Sequence, residues 1–142
     1  MNRGLAKYHL KNYQGAITDL TKAIEINPQH AKAYKNRGLA KSHLKDYQGV
    51  ITDYNKAIEL NPQDADAYNN RGYAKVALGD HQGALVDLNK AIELDPRHAN
   101  AYTNRGVAKG LSGDQQGMCL DFRKGSSLGS KNATKGLNQL CQ

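Results

Sequence analysis

The sequence predicts an all-α protein, a right-handed α-solenoid of antiparallel helix pairs closed by a C-terminal capping helix. Three observations lead there. First, Pro28, Pro62 and Pro96 recur at a step of 34 residues, as do the Asn-Arg-Gly triplets starting at Asn2, Asn36, Asn70 and Asn104. Second, each period holds two apolar runs at helical spacing, and strand-like alternation is nowhere sustained. Third, the 142-residue chain is 39% hydrophobic and has no Trp. That is too little for a thick central core but enough for thin stacked layers.

The elements follow in order. Residues 1–30 read as a truncated first unit, because nothing before Met1 matches Ala31 to Tyr34. A helix that starts in mid-pattern suggests a chain that continues upstream. In the unit 31–64, Tyr34, Ala40 and Leu44 share one side of a first helix running from Ala33, and Gly38 permits close approach of a neighbour. Asp46 then precedes a second run, with Asn12, Asp80 and Asp114 in the same column. These are N-cap residue types, able to accept from the free N–H groups of a new helix. Tyr47, Val50, Ile51, Tyr54, Ala57 and Ile58 give that run its apolar stripe, and Asn61-Pro62 ends it. Units 65–98 and 99–128 repeat the plan. Gly125 to Ser130 reads as a loop-like break, and Ala133 to Leu140 as the helix of a capping segment, 129–142.

Tyr34, Gly38, Tyr47, Tyr54, Ala57 and Pro62 carry a resemblance to the tetratricopeptide repeat, a 34-residue helix–turn–helix unit. Leu128-Gly129 followed by Ala133 resembles the junction of Sel1-like repeats. Two departures stand out. Val50 replaces the usual Ala, and Gly15, Gly49, Gly83 and Gly117 fill a column where a better helix former is usual. Each such Gly costs about 0.5–1 kcal/mol against Ala. Close approach to an adjacent helix is one reason to keep it.

The resemblance implies a concave groove, lined by the first helices, that takes an extended peptide or a partner helix. The columns expected to face it are Asn36, Asn70 and Asn104, with Leu39, Tyr73 and Val107 for apolar contact and Lys32 and Lys35 for acidic side chains. An Asn amide both donates and accepts, so a ladder of them can pair with a peptide backbone; the other reading is that these amides cap or bridge helices. Family members that hold a chaperone C-terminal tail use two Lys, two Asn and one Arg. Those places fall on Lys35, Leu39, Asn70, Asn100 and Asn104, where only Lys35 and Asn70 match, and Asp66 stands where a cation belongs in the preceding frame. A chaperone tail is therefore not the expected ligand.

Each Arg of the triplet has an Asp 16 residues on, which pairs Arg37 with Asp53, Arg71 with Asp87 and Arg105 with Asp121. Salt bridges at the helix–helix seam are the expectation, and phosphate binding the alternative. Antiparallel packing brings Cys119 and Cys141 together, either as a disulfide or as two small apolar side chains in a reducing compartment. A disulfide would favour an oxidising compartment; without it the default is cytoplasmic.

The formal charge of +7 is unevenly spread, with net +6 over residues 1–44, −3 over 45–98 and +4 over 99–142. An acidic middle interrupts any basic stripe, so nucleic acid is not the expected partner, whereas basic ends suit another protein with acidic ends. His9 and His43 share a column but lie about 10 Å apart by ordinary interhelical spacing, too far to share a metal. No nucleophile elbow, phosphate-cradling Gly loop or paired carboxylates appear, so neither an enzyme nor a cofactor is expected. No apolar run reaches the roughly 20 residues of a membrane span. The function expected is a protein-interaction scaffold. Self-association through the exposed first helix is the second reading.

Overall fold

The computed structural model describes residues 12–142 of the chain. Eight helices carry these residues, with no strand among them: α1 Tyr13–Ile26, α2 Ala31–His43, α3 Tyr47–Leu60, α4 Ala65–Ala77, α5 His81–Leu94, α6 Ala99–Leu111, α7 Gln115–Ser127 and α8 Lys131–Leu140. No helix among them is long and apolar enough to cross a membrane.

Local chemistry sets the boundaries. Asn12, Asp46, Asp80 and Asp114 accept from the backbone N–H three residues on, at 3.0, 3.0, 2.9 and 2.8 Å, and so cap α1, α3, α5 and α7. Those N–H groups belong to Gly15, Gly49, Gly83 and Gly117. A Cβ on Gly49, Gly83 or Gly117 would lie only 2.7, 2.7 or 2.6 Å from the carboxylate carbon of its capping Asp. At Gly83 and Gly117 the nearest atoms all belong to the capping Asp, and at Gly49 Lys41 Cδ of α2 stands 2.9 Å away as well. At the other ends, α2, α4 and α6 close with a left-handed residue after the C-cap: Lys45 at φ 59°, Gly79 at 85° and Gly113 at 91°. Lys45 holds this conformation without glycine's freedom because the turn is closed by Asp46 N–H donating to Lys41 C=O at 3.0 Å.

The chain divides into two compact units, one ending at Gln63 and the other running Asp64–Gln142. In the first, α2 packs against α1 and α3. Its interior is Ala16, Leu20 and Ile24 from α1, Ala33, Tyr34 and Ala40 from α2, and Val50, Tyr54 and Ala57 from α3. Leu44, expected on the apolar side of its helix, is 47% exposed because it sits at the C-cap, past the last turn that faces α3.

In the second unit each helix packs on the next from α4 to α8. The first helices also touch one another, α4 with α6 and α6 with α8, whereas α5 and α7 make no comparable contact among the described residues. The layer of first helices therefore lies on the inside of the unit's curvature. Ala84, Leu88, Ala91, Ala101 and Ala108 form one buried cluster, and Met118, Phe122 and Ala133 a second. Small residues on the first helices let large ones approach: Gly38 faces Tyr54, Gly72 faces Leu88 and Gly106 faces Phe122, each within 2.8 Å of where a Cβ would stand.

The C-terminal segment departs from expectation. Gly125, Ser126 and Ser127 are the last turn of α7 rather than a loop, and only Leu128 to Ser130 form the turn. Gly125 is helical because it is packed: a Cβ there would be 3.0 Å from both Ala133 Cβ and Thr103 Oγ1. Ser127 Oγ donates to the Lys124 carbonyl at 2.7 Å. The closing helix begins at Lys131, two residues earlier than read, because Ser130 caps it by accepting from Ala133 N–H at 3.2 Å.

Candidate functional site

The strongest polar constellation in the structure is a repeated seam, not an open site. In each described pair a first-helix Arg forks onto a buried second-helix Asp. Arg37 Nη2 lies 2.6 Å from Asp53 Oδ1 with Nε at 3.0 Å from Oδ2, Arg71 does the same to Asp87 at 2.6 and 2.8 Å, and Arg105 to Asp121 at 2.7 and 2.9 Å. A lysine one turn on completes each group: Lys41, Lys75 and Lys109 put Nζ 2.9 Å from the same carboxylates. The Arg–Asp spacing alone missed these lysines, although they share the 34-residue step and stand four residues after each Arg. Tyr34, Tyr68 and Tyr102 place their rings 5.7, 5.6 and 5.4 Å from the guanidinium carbons. The hydrogen bond to Asp121 raises the Arg105 pKa above its ordinary value. These guanidiniums are spent on internal carboxylates, which removes them as phosphate ligands.

The inner layer of the second unit is different. Asn104 Nδ2 donates to Asn69 Oδ1 at 2.9 Å, and Asn69 Nδ2 donates to Asn70 Oδ1 at 3.3 Å. An amide chain thus joins α6 to α4. The bridging that the sequence left open is present, yet one bridge uses one of the four hydrogen-bonding positions of Asn104. One turn further along each helix stand Tyr73, 44% exposed, and Val107, 37% exposed. Asn69, buried at 5%, was not among the expected residues; its signal was its place beside Asn70 in the same column as Lys35 and Thr103. On the same layer, Asp66 Oδ1 meets His98 Nε2 at 2.8 Å while His98 Nδ1 accepts from Ala101 N–H at 3.2 Å. With Nδ1 turned to the helix N-terminus, Nε2 is the ring nitrogen that faces Asp66.

In the first unit α2 carries Lys32, exposed, and Lys35, Asn36 and Leu39, half-buried. Asn36 Nδ2 is buried and, among the described residues, has no hydrogen-bond partner. The structure brings Asn70 and Asn104 together through Asn69 and places Tyr73 and Val107 beside them. The first-unit counterparts Asn2, Arg3, Leu5 and His9 lie outside the described residues. His43 stacks on Tyr13 with ring centroids 4.4 Å apart, a packing role. Among the described residues no three His, Cys, Asp or Glu are grouped as metal ligands would be. The sulfurs of Cys119 and Cys141 are bonded, with Cα atoms 5.6 Å apart.

Three family models match the chain: tetratricopeptide repeat over residues 1–30 and 31–64, tetratricopeptide repeat over 53–86, and TPR repeat over 72–113. No curated protein matches by sequence. Among solved structures, the Arabidopsis OM64 TPR domain is 29% identical with a TM-score of 0.74, over 78% of this chain and 93% of that one. The first TPR domain of Spaghetti (RPAP3), bound to the HSP90 peptide SRMEEVD, is 25% identical with a TM-score of 0.75, over 80% and 92%. MamA is 20% identical with a TM-score of 0.85 over 99% and 94%, a likeness of fold. The expectation that set a chaperone tail aside finds no support in these comparisons.

Proposed function

The chain belongs to the tetratricopeptide repeat family, and from that membership we propose that it is a scaffold that captures an extended peptide segment of another protein on its first-helix layer. The observation that carries this reading is the amide chain Asn104–Asn69–Asn70 beside exposed Tyr73 and Val107. A peptide backbone offers alternating donors and acceptors, and preorganised amides meet them without asking for a particular side chain. Tyr73 and Val107 supply apolar contact on the same layer. In the first unit, exposed Lys32 and half-buried Lys35 favour acidic side chains on the first-helix layer. The Leu128-Gly129 junction, with its Sel1-like pattern, supports reading α8 as the closing helix of the array.

Two ligands test this. Replacing Asn36, Asn70 and Asn104 together by Ala should weaken binding of a peptide selected from a random library about tenfold or more, at about 1–3 kcal/mol for buried backbone groups left unpaired. Helicity by circular dichroism should not change. Unchanged affinity would refute the assignment. Titration with SRMEEVD addresses the chaperone tail directly: binding that survives in the triple variant would place recognition on residues other than the amides.

A further inference from the structure

We propose that the Cys119–Cys141 disulfide is a redox latch that holds α8 against α7, so that reduction releases α8 while the rest of the second unit stays folded. The argument starts from how little else secures this helix. It has ten residues, of which Ala133 alone is buried, whereas α6 in the equivalent position on α5 buries Ala101, Thr103, Gly106 and Ala108. Helices this short are marginal by themselves in water, and α8 carries Gly136 and several polar residues that lower its propensity further. Its first turn is pinned: Thr103 Oγ1 donates to Ser130 Oγ at 2.8 Å, and Ser126 and Thr134 hydroxyls meet at 2.7 Å. The later turns have Leu137, the close approach of Gly136 to the Phe122 ring, one exposed bond from Gln115 Nε2 to the Leu140 carbonyl, and the disulfide.

The bond spans 22 residues of chain. Closing a loop of that size biases the docked state by on the order of a hundredfold or more in the chain-entropy account. Both cysteines are half-buried, and opening the bond requires a small dithiol to reach one of the sulfurs. One reductant thiolate attacks a sulfur, forming a mixed disulfide and expelling the other cysteine as thiolate. The second reductant thiolate then closes the reductant's own disulfide and frees the remaining cysteine. Two electrons and two protons end on Cys119 and Cys141. What release uncovers is the Met118–Phe122 side of α7, the counterpart of the α5 surface on which α6 packs.

Amide hydrogen exchange read by mass spectrometry tests the latch on the oxidised protein, on the protein treated with dithiothreitol, and on Cys141→Ser. Complete reduction is verified by a gain of two mass units. The expected result is exchange over residues 131–140 faster by tenfold or more in the last two samples, unchanged protection in α6, and recovery on reoxidation. Equal protection of α8 in all three would overturn the proposal. So would a loss of protection spread over α5 to α8, which would make the bond a general staple.

Discussion

Replacing Asp87 by Ala should destabilise the protein by about 3–5 kcal/mol, the cost of breaking a buried ion pair from one side. Asp87 is 1% exposed and holds Arg71 through two hydrogen bonds and Lys75 through a third contact. Its removal strands two cations at a seam where each is about four-fifths buried. Full hydration returns to them only if α4 and α5 separate. The exposed pair Lys90–Glu93 gives the contrast, since its members are solvated in either state and Glu93→Ala should leave the urea midpoint in place. A midpoint for Asp87→Ala within error of wild type would mean the seam is ornamental. The same experiment on Asp53 and Asp121 would report whether each repeat depends on its own carboxylate.

Phe122→Ala should cost a similar amount, about 3–5 kcal/mol, for a different reason. Its ring lies 2.8 Å from a Cβ position on Gly106 and 2.7 Å from one on Gly136, so both glycines leave space that only this ring fills. Deleting it opens a cavity between α6, α7 and α8 that neither glycine can close. Phe122→Leu, like Leu88 in the preceding repeat, should recover most of the loss. Chemical denaturation monitored by circular dichroism checks the series. A loss below about 1 kcal/mol for Phe122→Ala would show that the backbone collapses into the gap.

The repeat was legible because it rests on short-range rules. Pro62 and Pro96, the capping aspartates and the 34-residue columns each act within a few residues, and they place the helix pairs directly. The Arg–Asp spacing was legible for the same reason. What stayed hidden depends on packing across helices. Gly125-Ser126-Ser127 reads as a break by propensity, yet contacts from Ala133 and Thr103 hold it helical. The lysine third of each seam group and the role of Asn69 required knowing which turns face one another. The glycine at the third position of the second helices was legible as a cost, while its closeness to the capping carboxylate appears only in three dimensions.

The central claim is that amides on the first-helix layer read a backbone rather than side chains. The most direct measurement is a calorimetric scan of one library-selected peptide in which each backbone nitrogen is methylated in turn. The account predicts that methylation at alternate central residues lowers affinity tenfold or more, while Ala substitution of the intervening side chains costs much less. A peptide that tolerates every methyl group yet fails on loss of its side chains would contradict it.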